Sequence, residues 1–159
     1  MTKISAGILL FKREKGHIAY FLVHPGGPFW KNKDAGAWSV PKGEVSEGEN
    51  MLERAKTEFF EETGKMVDGG FIELQPVTQK GGKKVFAWAL EKYLETSGLH
   101  SNTLSINWPP GSGKTIEIPE VDRWEWFPSE EAKQKINPAQ AGFIVQFEKL
   151  FSSKIESDD

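Results

Sequence analysis

Residues 38–66 read WSVPKGEVSEGENMLERAKTEFFEETGKM, and this stretch concentrates acidic side chains in one loop and one predicted helix. Glu58, Glu61 and Glu62 are spaced i, i+3 and i+4, so a helix places them side by side on one face. Like charges at this spacing repel by roughly 0.2–0.5 kcal/mol per pair. The pattern therefore indicates that something cationic belongs beside these carboxylates.

The helix is predicted to span about residues 49–63. Ser46, followed three residues later by Glu49, has the form of a capping box at a helix start. Gly64 follows as a helix stop.

A projection of this helix at about 100° per residue places Glu62 within the arc of apolar side chains that faces the core, with Glu58 at its edge. A buried unpaired carboxylate costs several kcal/mol, so it must be paired, protonated or bound to a metal. Arg54 can pair with Glu58 at i+4 but cannot neutralise three carboxylates. A hard divalent cation takes several oxygen ligands and fits the remainder. A solvated acidic face is the alternative, which the position of Glu62 disfavours.

Composition narrows the kind of metal site. The chain has no cysteine, which excludes disulfides, thiol nucleophiles and cysteine-bound zinc. His17, His24 and His100 are scattered without the spacing of metal ligands. Any metal should therefore be held by oxygen, as Mg²⁺, Mn²⁺ and Ca²⁺ are. A net charge of −3 argues against an extended nucleic-acid partner.

The 159 residues predict one domain. The start, MTKISAGILLFKR, reads as a strand rather than a signal peptide. No apolar run approaches the ~18 residues of a membrane span. We therefore expect a cytoplasmic protein without a membrane partner, either a monomer or a homodimer.

Apolar and β-branched runs predict a series of strands, with a short one just before the acidic stretch. A last helix is predicted at about residues 139–151, where four apolar residues form a stripe on one face. Residues 95–120 are polar and irregular, without strong periodicity. The predicted strands are 4–12, 17–24, 38–41, 70–79, 84–94 and 121–127, and the stripe is Phe143, Phe147, Leu150 and Phe151.

The loop at residues 25–37 carries Phe29 and Trp30 beside Lys31 and Lys33. These aromatic side chains either close over the edge of the core or form a lid in which one of them, Trp30 being the candidate, stacks on a nucleobase. Both interpretations remain open at this point.

Residues 43–65 resemble the signature of the Nudix hydrolase family. Gly43 is followed after five residues by Glu49 and then, after seven more, by the run TEFFEETGK at residues 57–65. Two positions depart from the signature, because Thr57 stands where the family has arginine and Lys65 where it has an apolar residue. We hypothesise that Arg54, one turn earlier, takes the place of the missing arginine by pairing with Glu58.

The resemblance implies a Nudix-like α/β/α sandwich, of the α+β type, with a mixed β-sheet and a loop–helix–loop catalytic motif. It covers a single domain at residues 1–151, followed by a flexible acidic tail at residues 152–159. It also implies Mg²⁺ as cofactor, with Mn²⁺ as a substitute, and Glu58 and Glu61 as catalytic residues, to which our hypothesis adds Arg54. The implied metal ligands are Glu58, Glu61, Glu62, Glu49, the carbonyl of Lys42, and Glu120 or its neighbour Glu117.

The implied reaction is hydrolysis of a phosphoanhydride in a nucleoside diphosphate linked to another group, by water attack on phosphorus assisted by carboxylate-bound Mg²⁺. The lead-in Pro41-Lys42-Gly43 is similar to the branch that acts on dinucleoside polyphosphates, and Lys42 would bind phosphate. Nucleoside triphosphates and dinucleoside polyphosphates are the expected substrates. The alternative is a catalytically weak module that binds a nucleotide or metal, because of Thr57.

Residues 111–115, GSGKT, resemble part of a phosphate-binding P-loop. The full pattern needs a glycine where this chain has Trp108, and a helix after the loop rather than the strand-like IEI that follows. We therefore predict no P-loop, although Lys114 could still reach substrate phosphates.

Overall fold

A computed structural model describes the backbone of residues 3–158 and the side chains of residues 3–152. It contains nine strands, three α-helices and one short 3-10 turn. The strands are β1 Ile4–Glu14, β2 His17–Pro25, β3 Lys42–Glu44, β4 Ile72–Glu73, β5 Val77–Thr78, β6 Lys84–Glu91, β7 Thr103–Asn107, β8 Thr115–Pro119 and β9 Val121–Pro128. The helices are α1 Met51–Thr63, α2 Ser129–Lys135 and α3 Ala141–Asp158, and the 3-10 turn is Pro138–Gln140.

Seven strands form one mixed sheet whose backbone order is β4-β6-β1-β2-β9, with β3 paired to β1 and β5 paired to β6. The β1–β6 pair is parallel, and the β1–β2 pair is an antiparallel hairpin that closes at Glu14 and His17. The predicted mixed sheet is therefore confirmed, and the strands predicted at residues 4–12 and 17–24 form its first hairpin.

Both faces of the sheet are covered, which explains why β1 and β2 are apolar throughout rather than alternating. Alternate side chains of β1 enter two cores. Ile8 packs with Phe59 of α1 on one face, and Leu9 packs with Phe143 and Phe147 of α3 on the other. This is the predicted α/β/α layering.

Helix α3 differs in part from its prediction. Phe143 and Phe147 are buried and Phe151 packs against the same core, but Leu150 is 50% exposed. The helix continues to Asp158, beyond the predicted end at residue 151. The side chains of residues 153–158 and all of Asp159 lie outside the described residues, so the flexible tail at 152–159 stays a prediction.

The predicted strand at residues 38–41 is wrong. Trp38 and Ser39 make only isolated bridges, to Ile136 and Val23, and the strand that pairs with β1 begins at Lys42. Proline has no N–H to donate to a neighbouring strand. Pro41 therefore separates the isolated bridges of Trp38 and Ser39 from the strand that begins at Lys42.

The expectation of an irregular segment at residues 95–120 is also wrong over much of its length. Strands β7 and β8 pair there as a two-stranded ribbon separate from the main sheet. Leu104 and Ile116 of this ribbon are partly exposed. Neither face of the ribbon is fully buried. The sequence therefore has no strong alternation of apolar and polar residues from which the strands could be predicted.

The predicted run at residues 70–79 is in fact two short strands, β4 and β5, which pair with different parts of β6. The strand predicted at residues 84–94 is present as β6. It lies inside the sheet, with β1 on one side and β4 and β5 on the other.

The start of α1 is capped differently from the prediction. Asn50 is the N-cap, and its side-chain oxygen accepts a hydrogen bond of 3.0 Å from the N–H of Glu53. The carboxylate of Glu49 does accept from the N–H of Ser46 at 2.7 Å, but this bond belongs to a turn before the helix. Gly64 ends the helix in the left-handed region, at φ 79°, as predicted.

No helix among residues 3–158 is both long enough and apolar enough to cross a membrane.

Candidate metal centre

Helix α1 turns two carboxylates toward the sheet. Glu58 and Glu62 are each only 6% exposed, beside the fully buried Ala55 and Phe59. The projected position of Glu62 in the core arc is therefore what the structure shows, and Glu58 is as deeply buried.

A third carboxylate reaches the same place from another part of the chain. Glu120 lies between β8 and β9, and its carboxylate comes together with those of Glu58 and Glu62, with one oxygen of each lying within 4.8 Å of the others. We call these three residues the carboxylate cluster. Three oxygen donors at this separation suit a hard divalent cation.

The electrostatics of the cluster also fit a cation. Burial, together with the charges of Glu58 and Glu120, raises the pKa of Glu62 well above its ordinary value. Burial raises the pKa of Glu58 and that of Glu120 as well, with the charge of Glu61 adding to both. Glu62 Oε2 is buried and has no hydrogen-bond partner. A cation would give this orphaned oxygen a partner and favour the charged form of all three groups.

The loop before α1 is shaped around these carboxylates. A Cβ on Gly43 would lie 1.9 Å from Cδ of Glu58, so only glycine leaves room for that carboxylate. The backbone of Lys42 and its ammonium lie beside the carboxylate of Glu62 and partly offset the rise in its pKa. The positions that precede the helix therefore hold the two helical ligands in place.

Glu61 lies near the cluster but is not one of its three members. Its side chain is half-buried, and its charge raises the pKa of Glu58 and of Glu120. Its own carbonyl accepts a hydrogen bond of 2.7 Å from the N–H of Asn102.

Arg54 lies between two of the predicted ligands. Its guanidinium is 2.6 Å from Glu58 Oε1 and 3.7 Å from Glu49 Oε2. The carboxylate of Glu49 is exposed and engaged by Arg54 and by the N–H of Ser46. Glu49 is therefore not a member of the carboxylate cluster, and it contacts Arg54, which pairs with Glu58.

Thr57, at the position of the signature arginine, is exposed and points back along the helix. Its hydroxyl donates to the carbonyl of Glu53 at 3.1 Å. The positive charge that faces Glu58 therefore comes from Arg54 alone among the ion pairs of the described residues.

Two lysines lie close together beside Glu62 and Glu58. Burial and the neighbouring ammonium of Lys83 lower the pKa of Lys42, against the opposing effect of Glu62 and Glu58. Gly7 lets β3 cross closely here, since a Cβ on it would lie 2.7 Å from Cβ of Lys42. Sequence reasoning found Lys42 but missed Lys83, which reaches the site from the turn before β6.

The aromatic loop begins beside the cluster. The N–H of Gly26 donates to the carbonyl of Glu120 at 3.0 Å. Phe29 is 54% exposed and packs edge-to-face against Trp30 at 4.9 Å between ring centroids. The Lys33 ammonium lies 3.5 Å from the centroid of the Phe29 ring. Phe29 therefore does not close over the core, which was one of the two interpretations.

The structure does not bring Lys114 or Glu117 to the carboxylate cluster. Lys114 is exposed in the turn of the β7–β8 ribbon, six positions before Glu120, or about 20 Å along an extended strand at 3.3 Å per residue. Glu117 is exposed on β8 opposite Ser105. The GSGKT segment is a ribbon turn followed by a strand, as expected for a chance likeness to a P-loop.

Comparison with known families gives a direct assignment. The family model described as the NUDIX domain matches residues 1–147. The chain belongs to the Nudix family. The predictions of a Nudix fold and of an enzyme of the pyrophosphohydrolase class are thereby confirmed. A search of curated proteins finds none that matches this Nudix domain.

Solved structures show the same fold at low sequence identity. An Ap4A hydrolase of C. elegans in a binary complex is 18% identical, covers 94% of this chain and 98% of its own, and has a TM-score of 0.65. The NUDIX domain of Shewanella oneidensis NrtR, complexed with ADP ribose, is 15% identical over 95% and 89% of the two chains, with a TM-score of 0.64. A mutT/nudix protein of Listeria innocua is 17% identical over 96% of each chain, with a TM-score of 0.62.

Proposed function

We propose that this Nudix domain is a cytoplasmic enzyme, a monomer or homodimer, that hydrolyses a phosphoanhydride bond in a nucleoside diphosphate linked to another group. The observation that carries this proposal is the carboxylate cluster, together with the buried Oε2 of Glu62, which has no hydrogen-bond partner. Nucleoside triphosphates and dinucleoside polyphosphates are the substrates to test first. The C. elegans Ap4A hydrolase, which shares the fold, supports the second class.

Glu58, Glu62 and Glu120 would hold Mg²⁺, with Mn²⁺ as a substitute. When bound, such an ion neutralises phosphate oxygens and lowers the pKa of water. The fit rests on the chemistry of the donors, because all are carboxylates and the described cluster includes neither histidine nor cysteine. Glu61, Glu49 and the carbonyl of Lys42 complete the set that the family resemblance implies, and they act here from just outside the cluster.

Glu61 is the best-placed group to accept a proton from the attacking water. Its charge acts on Glu58 and Glu120, whose pKa values burial raises first and Glu61 raises further, and it is half-exposed and outside the cluster. Arg54 holds Glu58 through the 2.6 Å contact. Arg54 thus orients a ligand, the role that the signature arginine would otherwise fill.

Different elements around the cluster would bind different parts of the substrate. Lys42 and Lys83 offer two ammonium groups, which suits a chain of phosphates. Trp30 and the exposed Phe29 lie on the loop that starts beside Glu120. Aromatic faces there would stack on a base. Lys114 is too remote for direct contact unless the ribbon moves, and we assign it no role.

The proposal is tested by measuring phosphate and nucleotide release from a panel of nucleoside triphosphates and dinucleoside polyphosphates with Mg²⁺, in wild type and in Glu61→Gln. We expect metal-dependent turnover by the wild type and a loss of at least about 100-fold in the variant. Identifying the products shows which bond is cut. Turnover that needs no metal, or that Glu61→Gln leaves unchanged, would contradict the mechanism.

One observation favours a second function, a Nudix module that binds a nucleotide or metal but turns over poorly. Thr57 contributes no charge to the site and bonds only to its own helix. Absence of turnover across the panel, together with intact nucleotide binding by calorimetry, would establish this alternative.

A further inference from the structure

His24, at the end of β2, is a fully buried histidine whose two ring nitrogens both have partners. Its exposure is 0%. Nδ1 lies 2.7 Å from Oδ1 of Asp122, and Nε2 lies 2.6 Å from the carbonyl oxygen of Lys33. The Lys33 carbonyl can only accept a hydrogen bond, so Nε2 is the donor of that contact.

A β-bulge places Asp122 in this position. His24 pairs with Arg123 across β2 and β9, and the next residue of β2, Pro25, pairs with Val121. Asp122 is therefore an extra residue on β9 with no partner in the register. Bulges re-aim side chains and are common next to active sites. This one gives Asp122 the direction it needs to meet His24.

The Lys33 carbonyl belongs to the loop between β2 and β3. Backbone hydrogen bonds of 3.0 Å hold both ends of this loop, from Gly26 to the carbonyl of Glu120 and from Gly36 to the carbonyl of Gln134. The two anchors fix where the loop leaves and rejoins the fold, but they leave its middle free to move.

Among the described residues, the contact between His24 Nε2 and the Lys33 carbonyl is the one hydrogen bond that joins residues 28–33 to a strand of the sheet. The other hydrogen bonds of this segment are local turns, from Trp30 to Gly27 and from Lys33 to Trp30. His24 Nε2 is therefore the single buried donor that fastens the segment carrying Phe29 and Trp30 to the sheet.

We propose that His24 is a positioning residue, whose Nε2–H fixes the Lys33 carbonyl and thereby holds Trp30 where it stacks on the base of a nucleotide substrate. The Asp122 carboxylate orients the ring so that Nε2 faces the loop. This inference rests on the proposed function, since it assigns Trp30 to substrate binding. Because His24 affects substrate binding and does not contact the reacting atoms, its replacement should raise KM and leave kcat unchanged.

Two variants of His24 separate the two hydrogen bonds. In His24→Gln the side-chain amide nitrogen takes the place of Nε2 and can still donate to the Lys33 carbonyl. In His24→Asn it takes the place of Nδ1 and can reach only Asp122. Both variants carry the same functional group at the same buried site, so a general loss of stability is shared. Its size is checked by thermal unfolding of both proteins.

We expect His24→Asn to raise KM for the best substrate of the panel about five- to tenfold, the effect of one lost hydrogen bond, with kcat changed less than twofold. His24→Gln should stay within about twofold of wild type in both. Equal KM values in the two variants, or a fall in kcat without a rise in KM, would overturn the inference.

Hydrogen exchange of the backbone amides of residues 29–33, measured without substrate, tests the same contact independently of turnover. Exchange should be faster in His24→Asn than in wild type and His24→Gln, and unchanged exchange would overturn the inference.

Trp30→Ala separates the inference from the proposed function. If it leaves KM unaltered while His24→Asn still speeds exchange, the loop is fastened but does not bind substrate, which also overturns the positioning role. Absence of turnover in every protein would instead refute the proposed function and leave the exchange result to decide whether the contact exists.

Discussion

The guanidinium of Arg54 lies 2.6 Å from the carboxylate of Glu58, one turn further along α1. We propose that this contact takes the place of the arginine that the Nudix signature has at position 57. Burial and Glu61 still raise the pKa of Glu58 despite Arg54, so the pair by itself does not satisfy the site.

Arg54→Ala should lower metal-dependent turnover by about 10- to 100-fold, the usual effect of losing a group that orients a metal ligand. The measurement is kcat/KM with saturating Mg²⁺. Lys56→Ala is the matched control, because Lys56 pairs with Glu53 and Asp68 on the same helix and not with the cluster. Adding Thr57→Arg to Arg54→Ala should restore part of the loss. Unchanged turnover in Arg54→Ala would show that Arg54 does not replace the signature arginine.

Glu62→Gln should separate metal binding from folding. The free energy of unfolding without metal should stay the same or rise by about 1 kcal/mol at pH 7, because the variant removes a buried carboxylate whose Oε2 has no partner. The increase in thermal midpoint on adding Mg²⁺ should disappear. Glu47→Gln, in the exposed loop before the helix, serves as control and should keep the full metal-induced increase. Stabilisation of Glu62→Gln by Mg²⁺ as large as that of wild type would exclude Glu62 as a ligand.

Glu120→Gln should weaken Mn²⁺ binding, measured by calorimetry, by about 10- to 100-fold, whereas Glu117→Gln should bind like wild type. The reason is position, because Glu120 lies in the carboxylate cluster and Glu117 is exposed on β8. The reverse order of the two effects would show that the ribbon contributes a different ligand.

Gly43→Ala should abolish metal-induced stabilisation and cost about 1–3 kcal/mol of unfolding free energy. The new Cβ would lie 1.9 Å from Cδ of Glu58, so the carboxylate must leave its place. Gly70→Ala is the control, because a Cβ there meets no atom within 4 Å. A Gly43→Ala protein with normal Mg²⁺ binding would mean that Glu58 can be displaced without harm to the site.

Glu148 should stabilise the protein near neutral pH, and this stabilisation should be lost in acid. Burial alone would raise the pKa of this carboxyl, but hydrogen bonds from Ser129, Lys133 and Tyr20 outweigh it and lower the pKa below 4.5. A carboxyl with a lowered pKa in the folded state stabilises the fold above its unfolded pKa, and this stabilisation is lost as pH falls through the folded pKa.

The measurement for Glu148 is the free energy of unfolding by urea between pH 3 and pH 7. Above about pH 5 Glu148→Gln should be less stable than wild type by about 1–2 kcal/mol, the scale of charge-assisted hydrogen bonds. The difference should shrink as pH falls toward 3. Glu131→Gln, exposed on α2, should follow the wild-type curve. A difference that is constant with pH would show that Glu148 contributes through packing and not through its charge.

Helix α1 could be predicted from the sequence because its pattern depends on local interactions. The i, i+3, i+4 spacing of the carboxylates and the stop at Gly64 depend on neighbours within a few residues, so the helix and the burial of Glu62 could be predicted. The capping residue could not, because Asn50 and Ser46 both suit a helix start. The choice between them depends on how the preceding loop packs.

The ribbon and the short strands escaped prediction for a different reason. Strands β7 and β8 have no fully buried face, so no periodic pattern marks them. Strands β4 and β5 are two residues long each and exist because β6 offers an edge to pair with. Pairing of this kind depends on a partner elsewhere in the chain.

By itself the sequence determined the acidic helix and the Nudix resemblance, because these follow from the spacing of neighbouring residues along the chain, and the resemblance in turn implied the mixed sheet. Only the tertiary structure decided that Glu120 rather than Glu117 joins Glu58 and Glu62, that Lys83 stands beside Lys42, and that a bulge at Asp122 turns its carboxylate to His24. Each of these contacts joins elements far apart in sequence. Register, crossing and burial set such distances, and no local pattern of residues encodes them.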